Sequence, residues 1–321
     1  MAKSEGEGLF IFVTDALKTT GYVIYYVVKS LLLWVLPTQY KSIEDDIILI
    51  TGGGRGLGRQ MALELCKYRP KHVILWGRHV DTLSRTSKEV MSRGVKCTYM
   101  VCDVSDRKQI YQQAERVKET IGDVSILVNN AGIVYGHPIL ESRDEDIEKT
   151  FQVNTLAHFW TVKAFLPSMV RNNHGHLVAM DSMLGLMGLN GAGDYSTSKY
   201  ATTGMAEALL YELRHEMNAP DVKITIAYPY QVDNDMFAGC KPRFPKLFPP
   251  IPEQYVAVKT VHAILTNQTQ VVIPRMFYFM AWVKSWLPVQ ALWSLFTFLG
   301  VDRAMETFEG GAQRMDNQQN G

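Results

Sequence analysis

The stretch Ile47-Ile48-Leu49-Ile50-Thr51-Gly52-Gly53-Gly54-Arg55-Gly56-Leu57-Gly58 decides the fold. Its opening residues are continuously apolar rather than alternating, the pattern of a strand buried on both faces of a parallel sheet. The glycines then permit a tight turn and let backbone N–H groups approach an anion, and a helical pattern opens directly behind them. Strand, glycine turn and helix in that order are the fingerprint of a dinucleotide site, with the pyrophosphate at the N-terminus of the helix. Gly52, Gly54, Arg55, Gly56, Leu57 and Gly58 are therefore candidate cofactor-binding residues.

Similar apolar runs recur as HVILW (72–76), CTYMVCD (97–103), SILVN (125–129), HLVAM (176–180), KITIAY (223–228) and QVVI (270–273). Helical patterns fill the gaps at 56–68, 80–92, 106–121, 144–171, 194–217 and 253–266. This alternation predicts an α/β fold, a Rossmann doubly wound parallel sheet of about seven strands covered by helices on both faces. No internal repeat or low-complexity segment interrupts it, so residues 44–275 read as one Rossmann domain.

The chain has 321 residues, 47% hydrophobic and 20% charged, with 33 basic against 32 acidic side chains. That balance argues against intrinsic disorder and against a nucleic-acid partner held by bulk electrostatics. Cys66, Cys97, Cys102 and Cys240 lack CxxC spacing, which supports neither a zinc clip nor a redox motif. His174 and His176 have no acidic or cysteine neighbour in sequence and read as loop residues, so no metal is expected.

Apolar residues crowd into Tyr22–Leu36, with Leu9–Val13 upstream, and again into Met276–Leu299. A spanning helix needs about 20 apolar residues, a length the first run reaches only by joining its upstream neighbour across Asp15 and Lys18. Residues 1–43 are expected to form an N-terminal membrane anchor, with one transmembrane helix permitted. No basic n-region precedes it and no cleavage motif follows, so it is not expected to be removed. The second run is broken by Lys284 and Pro288 and carries Trp282, Trp286, Trp293 and Tyr278, residue types that favour the headgroup layer. Residues 276–321 are read as an in-plane hydrophobic foot followed, after Gly310, by a polar tail. A membrane or lipid-droplet surface is the partner expected for both ends.

Cofactor choice is read at the end of the second strand, where an acidic side chain would hold the ribose 2′-hydroxyl of NAD. The strand instead ends Trp76-Gly77-Arg78. Arg78 and Arg55 are expected to converge on a 2′-phosphate, which predicts NADP(H). Tyr195 and Lys199 stand four apart in a helical pattern and share one face. The ammonium is expected to pull the phenol below its ordinary pKa of about 10. Ser182 follows the fifth strand at the carboxyl edge of the sheet, where its hydroxyl can orient a substrate carbonyl oxygen.

TGGGRGLG, Asp103-Val104, Asn129-Asn130-Ala131-Gly132, Asn154, Ser182 and Tyr195-Ser-Thr-Ser-Lys199 together resemble, in order and spacing over residues 47–274, the short-chain dehydrogenases/reductases. The resemblance implies hydride transfer between nicotinamide and a carbonyl or alcohol carbon, with Tyr195 as general acid/base. It also implies that Asn154 joins a proton relay through Lys199 and that Ser182 fixes the substrate oxygen. Asp103 and Val104 would contact adenine, Asn130, Ala131 and Gly132 would line the cofactor cleft, and the Val232 backbone would meet the carboxamide. One departure stands out: the chain reads Pro229-Tyr230-Gln231-Val232-Asp233-Asn234 where the family reads P-G-x-V-x-T.

The proline- and phenylalanine-rich segment 241–252 lies where this family keeps its substrate lid. Met180, Met183, Leu184, Leu186 and Met187 flank Ser182 and are expected to form an apolar, adaptable wall for a long lipid. TGGGRGLGRQ, LWGR, KAFLP (163–167) and RFPKLFPP (243–250) look like the membrane-bound retinal reductases of the family. That likeness implies NADPH-dependent reduction of all-trans-retinal to all-trans-retinol, limiting retinoic acid synthesis, at the endoplasmic reticulum membrane or lipid droplets with a cytosolic catalytic domain. The alternatives are a retinol or hydroxysteroid dehydrogenase and, in another class, a weakly catalytic membrane interaction protein. Family analogy further implies a homo-oligomer, or a hetero-oligomer with related reductases.

Overall fold

A computed structural model describes residues 2–32 and 39–310. The chain divides into two compact units, Met1–Lys41 and Ser42–Gly321. The first contains helix α1 (Ala2–Leu32), on which Phe10, Phe12, Leu17, Tyr25 and Tyr26 are exposed. Among the described residues no helix is long and apolar enough to cross a membrane, so the span that the sequence permits is not found. Asp15 and Lys18 interrupt the apolar residues of α1, and the second apolar run continues past its end at Leu32. Residues 33–36 of the apolar run and the tail after Gly310 lie outside the described residues.

In the second unit the chain runs β1 (Ile47–Thr51), α2 (Gly56–Leu65), β2 (His72–Gly77), α3 (Val80–Met91), β3 (Cys97–Val101), α4 (Arg107–Thr120) and β4 (Ile126–Asn129). It continues through α5 (Asp144–Phe151), α6 (Ala157–Arg171), β5 (Gly175–Met180), α7 (Gly193–His215), β6 (Val222–Pro229), β7 (Val232–Asp233) and β8 (Ile251–Pro252). Helix α8 (Glu253–Leu265), β9 (Gln270–Ile273), α9 (Phe277–Trp286) and α10 (Val289–Leu299) complete it. Seven strands form one parallel sheet in the order β3-β2-β1-β4-β5-β6-β9. The order reverses between β1 and β4, the switch point at which open α/β sheets take ligands.

The apolar strands are buried on both faces because successive side chains feed two cores. In β1, Ile47 and Leu49 join Trp76, Phe165 and Tyr228 on one face, while Ile48 and Ile50 join Leu75, Met61 and Val178 on the other. Two features were not legible from periodicity. The pair β7–β8 is only two residues per strand, Val232 opposite Ile251 and Asp233 opposite Pro252, too short to show an alternating pattern. The helix expected over 144–171 is interrupted at Gln152–Leu156 by a π-turn, an insertion common at functional sites.

The aromatic foot is formed by α9 and α10, on which Phe279, Trp282, Trp286, Trp293 and Phe298 are exposed. It is tied to the rest of the second unit at two points. Arg243 Nη1 donates to the carbonyls of Thr297 at 3.0 Å and Phe298 at 2.8 Å, and Lys284 Nζ donates to the Leu186 carbonyl at 2.7 Å and to the Tyr200 hydroxyl. Gly300, at φ +72, ends α10 in the left-handed conformation and sends the chain back, so that Met305 and Phe308 reach the carboxyl edge of the sheet.

Candidate active site

At the end of β1 the backbone folds into a cradle. Gly52 and Gly56 adopt positive φ (+66 and +55), and a Cβ on Gly58 would lie 2.3 Å from the Gly52 carbonyl oxygen. Because that neighbour is backbone, Gly58→Ala is expected to cost about 1–3 kcal/mol of stability and to impair cofactor binding. Chemical denaturation and cofactor fluorescence titration read the two effects. Thr51 and Asn130 tie the cradle to β4: Asn130 Nδ2 donates to the Thr51 carbonyl at 2.9 Å, and the Asn130 and Ala131 amides donate to Thr51 Oγ1 at 2.9 and 3.1 Å. Thr86 Oγ1 donates to the Gly54 carbonyl at 2.9 Å and fixes the far side.

Helix α2 starts here with no side-chain cap and no acidic residue in its first turn, leaving its N-terminal amides to an anion. The cleft, about 360 Å³, is lined by Gly52, Gly54, Arg55, Gly56, Leu57, Arg78, Asp103, Val104, Asn130, Ala131, Gly132 and Val232, so the structure brings all the expected cofactor-side residues but Gly58 to the wall itself. Gly58 stands directly beneath, buried against the Gly52 carbonyl. Burial, and then the nearby Arg78 charge, lower the Arg55 pKa, while Asp235 and Glu253 raise it. Asp103 is pushed up by burial but brought below its ordinary value by two hydrogen bonds from Ser105 and by the charges of Lys149 and Arg78. The glycine cradle, the uncapped helix and the paired guanidinium groups fit a nicotinamide dinucleotide.

Tyr195 and Lys199 lie one turn apart on α7 and are both buried, as is Ser182. Ser182 Oγ accepts from the Leu184 amide at 3.1 Å, and the Ser182 side chain lies close enough to the Tyr195 phenol to oppose a rise in its pKa. Lys199 Nζ donates to the Met180 carbonyl at 2.7 Å and lies 5.6 Å from the Tyr195 ring centroid. Asn154 sits in the π-turn: its Oδ1 accepts from the Ile133 amide at 2.9 Å, and its Nδ2 donates to the Ile133 carbonyl at 2.9 Å and to Ser198 Oγ at 3.1 Å.

The expectation that Lys199 acidifies the phenol does not describe this site. Burial first, and the Asp181 charge second, hold Tyr195 well above its ordinary value, with the Ser182 side chain opposing them. Burial lowers the pKa of Lys199, and Asp181 opposes that shift. Asp181 itself, pushed up to about 6 by burial against the influence of Lys199, Thr203 and the Ser182 amide, is a site residue that sequence reasoning missed.

The apolar wall also differs from expectation. Met183 and Met187 pack into one core face, with Leu186 against it, while Met180, which joins the other core, also lines the cleft beside Ser182 as expected. The cluster around Tyr195 consists instead of Val134, Ala192 and Met305, extended by Leu184, Leu189, Met236, Phe237, Cys240 and Phe308. Phe237 meets the Tyr195 ring edge-on at 5.9 Å. No pattern in the sequence places Met305 and Phe308 there, because they follow two helices and a reversal of the chain. Tyr230, which departs from the family glycine, stacks on Phe277 at 4.3 Å, so the larger side chain has a defined packing partner.

A parallel sheet with a glycine cradle at its switch point, and a tyrosine–lysine pair beside the adjoining strand ends, is the architecture of a dinucleotide-dependent oxidoreductase. The short chain dehydrogenase family model matches residues 46–243, and the chain belongs to the short-chain dehydrogenase/reductase family of NAD(P)-dependent oxidoreductases. It is 40% identical over 288 residues to Short-chain dehydrogenase/reductase 3 of Homo sapiens, covering 90% of this chain and 94% of that protein. It is 38% identical over 301 residues to Epidermal retinol dehydrogenase 2 of Homo sapiens, covering 94% of each. Among solved structures, a short-chain dehydrogenase/reductase from Burkholderia phymatum in complex with NAD shares the fold, with a TM-score of 0.67 at 24% identity over 76% of this chain and 94% of that one.

Proposed function

We propose that this protein is an NADP(H)-dependent reductase of an apolar aldehyde, most simply all-trans-retinal to all-trans-retinol, acting at a membrane surface and limiting the retinal available for oxidation to retinoic acid. The observation that carries the reading is the buried Tyr195 phenol, which lines the dinucleotide cleft together with Ser182 and Lys199 and backs onto an apolar cluster. The names of the two human relatives, one a retinol dehydrogenase, support the substrate class. Arg55 and Arg78 on one wall, with no acidic residue at the end of β2, support NADP(H) over NAD.

When bound, the reduced cofactor supplies the hydride. Ser182 and Tyr195 hydrogen-bond the aldehyde oxygen, and Tyr195 donates its proton as negative charge grows there. Lys199 contributes positive charge beneath the phenol, and Asn154 holds the backbone next to it. Asp103 and Val104 receive the adenine end, Asn130, Ala131 and Gly132 keep the cleft open, and Val232 borders the nicotinamide side. Phe237, Met305 and Phe308 exclude water from the oxygen being protonated.

The exposed tryptophans of α9 and α10 suit the headgroup layer, and α1 offers a second apolar surface. Microsomes or lipid droplets carrying the full chain, given retinal, a ketosteroid, NADPH and NADH in turn, provide the test. Retinal reduction with NADPH well above empty membranes, and recovery of the protein in the membrane or droplet fraction, are expected. Turnover of the ketosteroid alone would favour a hydroxysteroid dehydrogenase, and no turnover of either would favour a membrane interaction protein.

A further inference from the structure

We propose that Glu253 is the cofactor site's own competing anion: its carboxylate stands at the phosphate end of the cleft, weakens dinucleotide binding and so promotes cofactor release. Gly56 opens α2 in the left-handed region (φ +55), and the side chain that approaches it comes from another element. Glu253 Oε1 lies 3.1 Å, and the carboxyl carbon 4.0 Å, from the point where a Cβ on Gly56 would stand. Helix α2 has no acidic residue in its own first turn, so Glu253 brings negative charge to its N-terminus from outside. The same residue lines the cofactor cleft with Arg55, Leu57 and Asp235.

The surrounding structure holds Glu253 at this rim. Strands β7 and β8 pair Val232 with Ile251 and Asp233 with Pro252, and the Ile251 amide donates to the Gln231 carbonyl at 2.9 Å. Glu253 follows directly as the first residue of α8, whose next turn is anchored by the buried Val256 and Ala257. Burial pushes the carboxyl above its ordinary value and Asn234 opposes that shift; of the charges nearby, Asp235 and Asp233 add to it and Arg59 counters it. Glu253 acts in turn on Arg55. A carboxylate already crowded by two aspartates is opposed further by any anion that enters.

Negative charge at a helix N-terminus is favourable while the cleft is empty. A bound dinucleotide brings its pyrophosphate to the same end of α2, and two anions sharing one helix terminus repel. Glu253 thereby stabilises the empty state relative to the loaded one, and affinity falls by that difference. The repulsion acts on the pyrophosphate, which NAD(H) and NADP(H) share, so it is separate from any reading of the 2′-phosphate by Arg55 and Arg78. Release steps limit the turnover of many enzymes, and a built-in anion speeds this one.

Isothermal titration of the full chain in detergent with ADP, NADH and NADPH tests the proposal. Glu253→Gln keeps the size and hydrogen-bonding capacity of the side chain but removes its charge. All three ligands are expected to bind the variant about tenfold more tightly than the wild type, with the gain shrinking at high salt as the charges are screened. Thermal unfolding of the ligand-free variant is expected at a slightly lower temperature, because α2 loses a counter-charge. Unchanged or weaker ADP binding would show that Glu253 serves only to start α8, and a gain that persists undiminished at high salt would assign it to shape; either overturns the proposal. Glu253→Ser gives the same reading if the Gln variant does not fold. ADP carries the pyrophosphate but neither nicotinamide nor 2′-phosphate, so a wild-type protein that reduces no aldehyde, or prefers NADH, would defeat the proposed function and leave this titration decisive.

Discussion

Tyr195→Phe is expected to reduce aldehyde turnover by about 10²–10⁴-fold, the range that a positioned general acid contributes. Binding of NADPH should stay near the wild-type value. The separation follows from the architecture: the phenol faces Ser182 and the apolar cluster, whereas the phosphate end of the cleft is built from the glycine turn, Arg55 and Arg78. Removing the hydroxyl leaves the ring and its edge-on contact with Phe237 in place, so little structural loss should accompany the kinetic one. Single-turnover reduction with pre-bound NADPH, beside a fluorescence titration of cofactor binding, distinguishes the effects. Retained turnover would remove Tyr195 from the chemistry, and lost cofactor binding would show that the substitution disturbs the cleft.

The second large effect is expected at the cofactor's 2′-phosphate. Each charge-assisted hydrogen bond contributes about 1.5–3 kcal/mol, so Arg55→Ala combined with Arg78→Ala should cost about 3–6 kcal/mol of NADPH recognition. At about 1.4 kcal/mol per tenfold, this is roughly 10²–10⁴-fold in kcat/KM for NADPH. NADH, which lacks the phosphate, should be affected far less. Burial and then the nearby Arg78 charge lower the Arg55 pKa, and a phosphate between the two guanidinium groups would relieve their repulsion. Equal losses for both cofactors would mean that the arginines support the cleft without reading the phosphate. Equal or better efficiency of the wild type with NADH would overturn the NADP(H) assignment.

The two expectations rest on unequal parts of the sequence. The cofactor cleft is encoded locally: β1, the glycine turn and α2 are contiguous, and Arg78 directly follows β2, the strand paired beside β1. The proton site draws on β5, α7 and the π-turn, and only its spacing motifs were legible. Asp181 adjoins Ser182 yet drew no notice, because its importance comes from burial and from Thr203 on α7 rather than from any pattern. The substrate wall was least legible. Met183 and Met187, near Ser182 in sequence, pack into the core, while Met305 joins the cluster around Tyr195 from more than a hundred residues away.

By itself, the sequence determined the parallel sheet, the glycine cradle and the tyrosine–lysine spacing. Each depends on interactions between residues close along the chain: continuous apolar runs, positive-φ glycines and one turn of helix. Tertiary structure alone decided the acidity of the phenol and the apolar enclosure of Tyr195. Burial, and the proximity of side chains brought together from distant elements, set both.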